Sequence, residues 1–487
     1  MAKGSKETVI LISTLAISMA VIGAGFLLLR QNQGSENPVA LTTNDRPNNS
    51  GNSSPNVAIE ERISTGEQVL FTDTVTAEKQ SGVISIATGN YENAIDILQA
   101  SLNKNRNDPE ALVYLNNARA KQSGNVLKIA ASLPISSSSD AAKEILRGIA
   151  HAQNQVNQTG GINGALLEVA IADDQNEAQT AQEVAAALAQ DPQVLAVVGS
   201  FGSGTTIAAA EVYQAAGLVQ ISPTSTSTTL STAGNYIFRT VPSDLFAANA
   251  LAKYAIEDWQ VTKAAVFYNS ESNYSKSLKD GFTGAFVGDG GEVVWEVDLA
   301  AADFNAAAAL NQARDRGAQT IMLAANSATL SQAFEVIAIN SQNLLLLGGD
   351  SLYRRNTLAT GGQNAVGMIL AVPWHILGNP NSKFPSEAAQ LWGGDVNWRT
   401  AMAYDATEAI VTALRQSPTR DGVQQALAST NFAATGADAE IYFQPSGDRN
   451  RAPILVRVVK APADNPRGRS GTGYDFVPLE AGLEGLE

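Results

Sequence analysis

The chain has 487 residues, carries a formal charge of −15, is 44% hydrophobic, and holds two histidines (His151 and His375) and no cysteine. That length predicts more than one structural unit, and the missing cysteine excludes disulfides, thiolate metal sites and thiol catalysis. Two histidines exclude a multi-histidine metal centre, and the acidic balance argues against a nucleic-acid partner while leaving small anions open.

Residues 8–29 (TVILISTLAISMAVIGAGFLLL) carry no charge, with Lys3, Lys6 and Glu7 before them and Arg30 after. As a helix they rise about 33 Å, enough to cross a bilayer, and the run exceeds a cleavable signal core. The pattern predicts a signal-anchor within 1–30, with a cleaved signal as the competing reading. The basic start places the body outside the cytoplasm, in the periplasm or extracytoplasmic space. Residues 31–56 are rich in Asn, Ser, Gly and Pro without apolar periodicity, which predicts a disordered tether.

Residues 57–121 read as a short α-helical module. Its pieces Gly89-Asn90-Tyr91, Ala94-Ile95, Leu98 and Asn107-Asp108-Pro109 resemble a tetratricopeptide repeat. Asp108 is placed to cap a helix that starts at Pro109. Little more than one repeat is present, so a helical spacer packed on the next domain competes with a protein-partner surface.

From Val126 the pattern becomes α/β. Strands are predicted at 126–130, 166–171, 194–198, 218–221, 263–267, 292–297, 320–323 and 344–347, with helices such as 139–158, 177–189 and 205–216 between them. This alternation predicts parallel sheets covered on both faces, and the length suggests two of them. In such folds ligands bind beyond the carboxyl ends of the strands. Four loops qualify. One runs from Leu133 to Asp140. A second, Val198-Gly199-Ser200-Phe201-Gly202-Ser203-Gly204-Thr205, opens a helix whose free N–H groups suit an anion, without being a Walker loop. A third, Ser222 to Thr228, offers hydroxyls and no general base. The fourth, Gly348-Gly349-Asp350-Ser351, places a carboxylate where a cation can meet it. An anion site and a cation site together fit a free amino acid, provided that the loops converge.

The stretches ILRGIAHAQNQVNQTGGINGALLEV, VVGSFGSGTTIAAAEVYQAAGLVQISPTSTS, FRTVPSD and AYDATEAI resemble the solute-binding proteins of branched-chain amino-acid ABC importers, the leucine/isoleucine/valine-binding family of type I periplasmic binding proteins. The resemblance covers 126–462. It implies two Rossmann-like lobes with three crossovers: lobe one at 126–244 and 374–440, lobe two at 245–373 and 441–462, then a tail at 463–487. It further implies that Ser203 holds the ligand α-carboxylate and that Thr226 bridges carboxylate and ammonium. Thr224 would contribute its backbone carbonyl, Asp350 would pair with the ammonium, and Tyr274 would pack over the ligand. Ser138 and Asn326 occupy positions where the family has aromatic walls, which implies a more polar pocket, and Tyr404 falls near the cleft. The implied activity is capture of an amino acid or related zwitterion for an ABC permease, with no catalysis, cofactor or metal. A membrane-anchored sensor or scaffold of a cell-envelope complex is the competing reading.

Overall fold

The computed structural model describes residues 58–341 and 343–480. The expected anchor and the tether lie outside the described residues. Among the described residues no helix is long and apolar enough to cross a membrane.

Lobe one is built on β1 (Ile63–Ser64), β2 (Val126–Leu133), β3 (Leu166–Asp173), β4 (Val194–Val198), β5 (Val219–Ser222) and β6 (Ile237–Arg239). Their spatial order is β1-β3-β2-β4-β5-β6, parallel except for β1, which runs antiparallel to β3. Lobe two holds β7 (Lys263–Tyr268), β8 (Glu292–Asp298), β9 (Thr320–Ala324), β10 (Leu345–Gly348) and β11 (Ile369–Val372). A two-stranded ribbon of β12 (Ala434–Thr435) and β13 (Glu440–Ile441) follows, then β14 (Ile454–Lys460) and β15 (Tyr474–Pro478). The lobe-two order is β15-β14-β11-β10-β9-β7-β8, and its last two strands are antiparallel. The sheets are therefore mixed, with parallel centres that read as unbroken apolar runs because helices cover both faces.

The chain passes between lobes three times. It leaves lobe one after Arg239, and helix Asp244–Lys253 packs on lobe two. It returns at Pro373, since Trp374 is buried in the lobe-one core. The third passage corrects the expected boundary at Glu440. Ile441 is buried in lobe one, and Arg449 pairs there with buried Asp405, so the crossing falls between Arg449 and Ile454. The expected tail at 463–487 is corrected too, because β15 pairs along β14 as a strand of lobe two.

Residues 58–123 are part of lobe one rather than a module beside it. Helices Ala77–Ala87 and Tyr91–Lys104 form a hairpin that closes where Gly82 faces Leu98; a Cβ on Gly82 would lie 2.6 Å from the Leu98 side chain. The third helix, Pro109–Ser123, starts at Asp108, whose carboxylate accepts from Ala111 N at 3.0 Å. It then runs along the free edge of β3. Asn117 accepts from Val169 N at 2.9 Å and donates to Val169 O at 2.8 Å, as a neighbouring strand would. Asn157 does the same for Leu167, at 2.7 and 2.9 Å. The segment is one hairpin plus a helix of the body, which falls short of a stacked array.

Lys79 anchors this segment from a position with 0% exposure, within 3.1 Å of Asp108 and 2.5 Å of Glu110. Removing the cation strands two buried carboxylates. Lys79→Met is therefore expected to cost about 3 kcal/mol in urea unfolding, and adding Glu110→Gln should restore part of it. An unchanged midpoint for the single variant would show that the charges are not buried together.

Candidate functional site

The lobe-one wall grows from β4 and β5. The apolar run of β4 ends at Val198, and the chain turns through 199–202 into helix Ser203–Ala216. Ser203 is buried at the first helical position, and its hydroxyl accepts from Ser227 N at 3.4 Å. Three hydroxyls of the 222–228 loop brace this turn. Ser222 donates to Ser200 O at 2.9 Å, Thr224 to Phe201 O at 2.8 Å, and Ser225 meets Thr206 at 2.6 Å. Thr226 differs: its buried Oγ1 meets no partner with full hydrogen-bond geometry, although it lies close enough to the Asp244 carboxyl to lower its pKa. A buried hydroxyl left unpaired costs about 1–3 kcal/mol, so a free donor-acceptor is held ready at this point. Thr226→Val is expected to raise the melting temperature of the ligand-free protein by a few degrees and to weaken ligand binding about tenfold. A drop in ligand-free stability would mean that the hydroxyl is already satisfied.

The lobe-two wall is made by β10 and helix Asn273–Gly288. Tyr274 donates from its hydroxyl to Asp350 Oδ1 at 2.8 Å. Gly349 makes room for this contact, since a Cβ there would lie 2.3 Å from the Tyr274 oxygen. Asp350 is only 8% exposed. Burial raises its carboxyl above the usual aspartate range, with the Tyr274 hydroxyl opposing the rise. Burial and the Asp350 charge hold the Tyr274 phenol well above its own range. Asn326 accepts from Asn269 Nδ2 at 2.9 Å and from Thr329 Oγ1 at 3.0 Å, capping a short turn at the cleft wall.

A cavity of about 220 Å³ lies between these walls, lined by Ser203, Thr224, Tyr274, Asn326 and Asp350 among others. An inner recess of about 20 Å³ is lined by Thr226, Asp244, Tyr274 and Asp350, with Pro242, Pro373 and Pro453 of the three crossings at its floor. Six of the eight residues singled out in the sequence thus face one continuous cleft. Two do not. Ser138 precedes helix Ser139–Gln158 without lining either space. Tyr404 is turned into lobe one, where it packs on Phe384 and His151 and donates to Gln155 Oε1 at 2.8 Å. Both are corrected: helix packing turns Tyr404 away from the cleft, and Ser138 sits at a helix start outside it.

Three charged residues at the site were not anticipated. Asp244, the last residue of the FRTVPSD stretch, is fully buried beside Thr226, and its Oδ2 has no partner. Burial, with the Asp350 charge adding to it, pushes its carboxyl up to about 7. Arg354 and Arg399 also line the cavity, from lobe two and lobe one. The FRTVPSD stretch was a signal that pointed at Asp244; no motif marked either arginine.

A larger cavity of about 450 Å³ adjoins the first at Arg354 and is bordered by His375. Several of its charges are already paired, Lys143 with Asp73 at 2.7 Å and Arg469 with Asp395 at 3.1 Å. Both histidines are pushed down to about 4 by burial and are neutral near pH 7. Neither lines the smaller cavity.

Two α/β lobes joined by three connections around a polar cleft define a ligand-capturing protein. The family model of the periplasmic binding proteins matches residues 126–465, and the chain belongs to that family. The Leu/Ile/Val-binding protein homolog 3 of Brucella melitensis is 25% identical over 279 residues, 57% of this chain and 75% of its own length. An amino acid binding protein of Pseudomonas aeruginosa is 34% identical over 135 residues, 28% of this chain and 36% of its own. Among solved structures, a leucine-bound ABC transporter substrate-binding protein from Desulfitobacterium hafniense superposes with a TM-score of 0.62 at 22% identity, covering 72% of this chain and 100% of that one. An isoleucine-bound counterpart from Streptococcus pneumoniae gives 0.63 at 20% identity, covering 73% and 100%. At these identities the likeness is one of fold.

Proposed function

We propose that this chain is an extracytoplasmic solute-binding protein that captures a free amino acid, or a closely related zwitterion, for an ABC importer. The observation that carries this reading is the pairing of opposite chemistries in one cleft. A helix start with the Ser203 hydroxyl suits an α-carboxylate, and the Asp244–Asp350 pair suits an ammonium. The unpartnered Thr226 hydroxyl stands beside the carboxylates, as a bridge between the two ends requires. In this reading Thr224 braces the loop with its side chain and leaves its carbonyl for the ligand. Tyr274 holds Asp350 in place, and closure of the lobes buries the ligand. In this reading the chemistry is binding alone.

The names of the relatives support the amino-acid class, and family membership supports work outside the cytoplasm beside a permease. Residues 8–29 would tether the body to the membrane, and the hairpin 77–104 would offer a surface to a protein partner. The test is calorimetry and thermal shift of the full-length chain against free amino acids. A ligand at 100 times its dissociation constant should add about 2.7 kcal/mol of stability. Silence across the whole panel would reject transport and leave the scaffold reading standing.

A further inference from the structure

The proposed anion and cation sites account for both ends of an amino acid, yet the cleft carries two more cations than that reading uses. Arg354 stands four residues beyond Asp350 and donates from Nε to Ser351 O at 3.0 Å. It has no ion-pair partner among the described residues. Arg399 faces it from the start of helix Trp398–Gln416 and is 2% exposed. One of its nitrogens donates to Glu144 at 3.1 Å, while its Nε is buried without a partner. Among the described residues Glu144 is thus the one carboxylate within ion-pair distance of either guanidinium, and it pairs with Arg399. Asp350 feels both charges at longer range and keeps its hydrogen bond to Tyr274.

The aromatic walls point the same way. Arg399 lies 4.4 Å from the centre of the Trp398 ring and 6.0 Å from that of Phe201. The Arg399 guanidinium thus takes up ring faces that a branched aliphatic side chain would need. Placing such a side chain here would strip water from two cations and return no hydrogen bond. The cavity, at about 220 Å³, is below the range of drug-sized pockets and suits one small molecule.

Resting on the amino-acid reading above, we infer that the ligand carries an anionic side chain, received by Arg354 from one lobe and Arg399 from the other. The ligand class is a dicarboxylic amino acid such as glutamate or aspartate. Arginine suits this task because its fork matches a carboxylate in two parallel hydrogen bonds. Because the arginines stand on different lobes, the side-chain carboxylate bridges the cleft and favours closure. Burial and the neighbouring Arg399 charge agree with this arrangement, lowering Arg354 to about 10.

The decisive comparison is L-glutamate against L-glutamine, which differ in charge and hardly in shape, measured by calorimetry on the full-length chain. Glutamate is expected to bind at least thirtyfold more tightly than glutamine, and more tightly than leucine. Arg354→Gln should erase that preference, and Arg354→Lys should restore part of it. Arg399→Lys keeps the charge facing Glu144 and should reduce the preference without unfolding the protein, with thermal melting as the control. If glutamine or leucine binds as tightly as glutamate, the acidic-ligand inference is overturned while the amino-acid reading survives. If no amino acid binds, both fall together.

Discussion

Replacing Asp350 with alanine is expected to weaken amino-acid binding at least a thousandfold while leaving the empty protein as stable as before, or slightly more so. The two effects have one cause. In the empty cleft the carboxylate is buried, faces Asp244, and has only the Tyr274 hydroxyl as a hydrogen-bond partner from a side chain. Its desolvation is a standing cost to the fold, which lifts its carboxyl although Tyr274, Arg399 and Arg354 pull the other way. A ligand ammonium offsets that cost, so truncating the acid removes the gain from binding without harming the unliganded state. Loss of one partner from a desolvated, hydrogen-bonded charge pair costs about 2–5 kcal/mol, and a thousandfold change is about 4 kcal/mol. Asp350→Asn separates charge from shape and should retain only a small part of the affinity. Calorimetry reads the affinity and thermal melting the stability. Should the alanine variant bind normally, the ammonium does not sit at this carboxylate.

Acid should stabilise the empty protein and weaken its grip on the ligand. Asp244 titrates near 7 in the folded chain, against about 3.9 for an unfolded aspartate. The folded state therefore holds a proton that the unfolded state has released, from about pH 4 up to about pH 7. The stability contributed by this group is complete below about pH 4, declines through that window, and is gone above about pH 7. Three units correspond to about 4 kcal/mol, an order-of-magnitude figure for one buried group. Affinity runs the other way, since an ammonium is best received by an anion. Binding at pH 6 should expel a proton, visible as a calorimetric enthalpy that differs between phosphate and Bis-Tris buffers. Asp244→Asn should abolish the buffer difference and reduce the excess stability at pH 5 over pH 8, the remainder coming from Glu408, which burial also raises to about 7. Identical enthalpies in the two buffers would mean that Asp244 takes no part in binding.

The eight strands expected from apolar runs all appear, because a central parallel strand buried on both faces needs little more than such a run. β11 was missed although it is such a run, whereas β6, β14 and β15 escaped that reading for physical reasons. β6 has three residues, including the buried Arg239, and β14 and β15 join lobe two only through antiparallel pairing after the last crossing. The third crossing was misplaced because nothing local says that Arg449 reaches back to Asp405. At the site, Ser203, Thr226 and Asp350 were legible because strand ends and helix starts deliver them to one rim. Arg399 was hidden, since its place in the cleft depends on how helix Trp398–Gln416 packs on Ser139–Gln158. The same long-range packing turned Tyr404 inward. Sequence periodicity gives a helix its apolar face and leaves open which neighbour that face will meet.

The side chains that stand in for a strand along β3 have a practical consequence. Leu167, Val169 and Ile171–Ala172 present their backbone groups to Asn157, Asn117 and β1, two of which precede the family-matched segment. A chain shortened to begin at Val126 would leave much of that border bare, inviting another copy to zip onto it and precipitate. The smallest piece able to stand alone thus starts some seventy residues upstream of the region shared with the family, near Ala58.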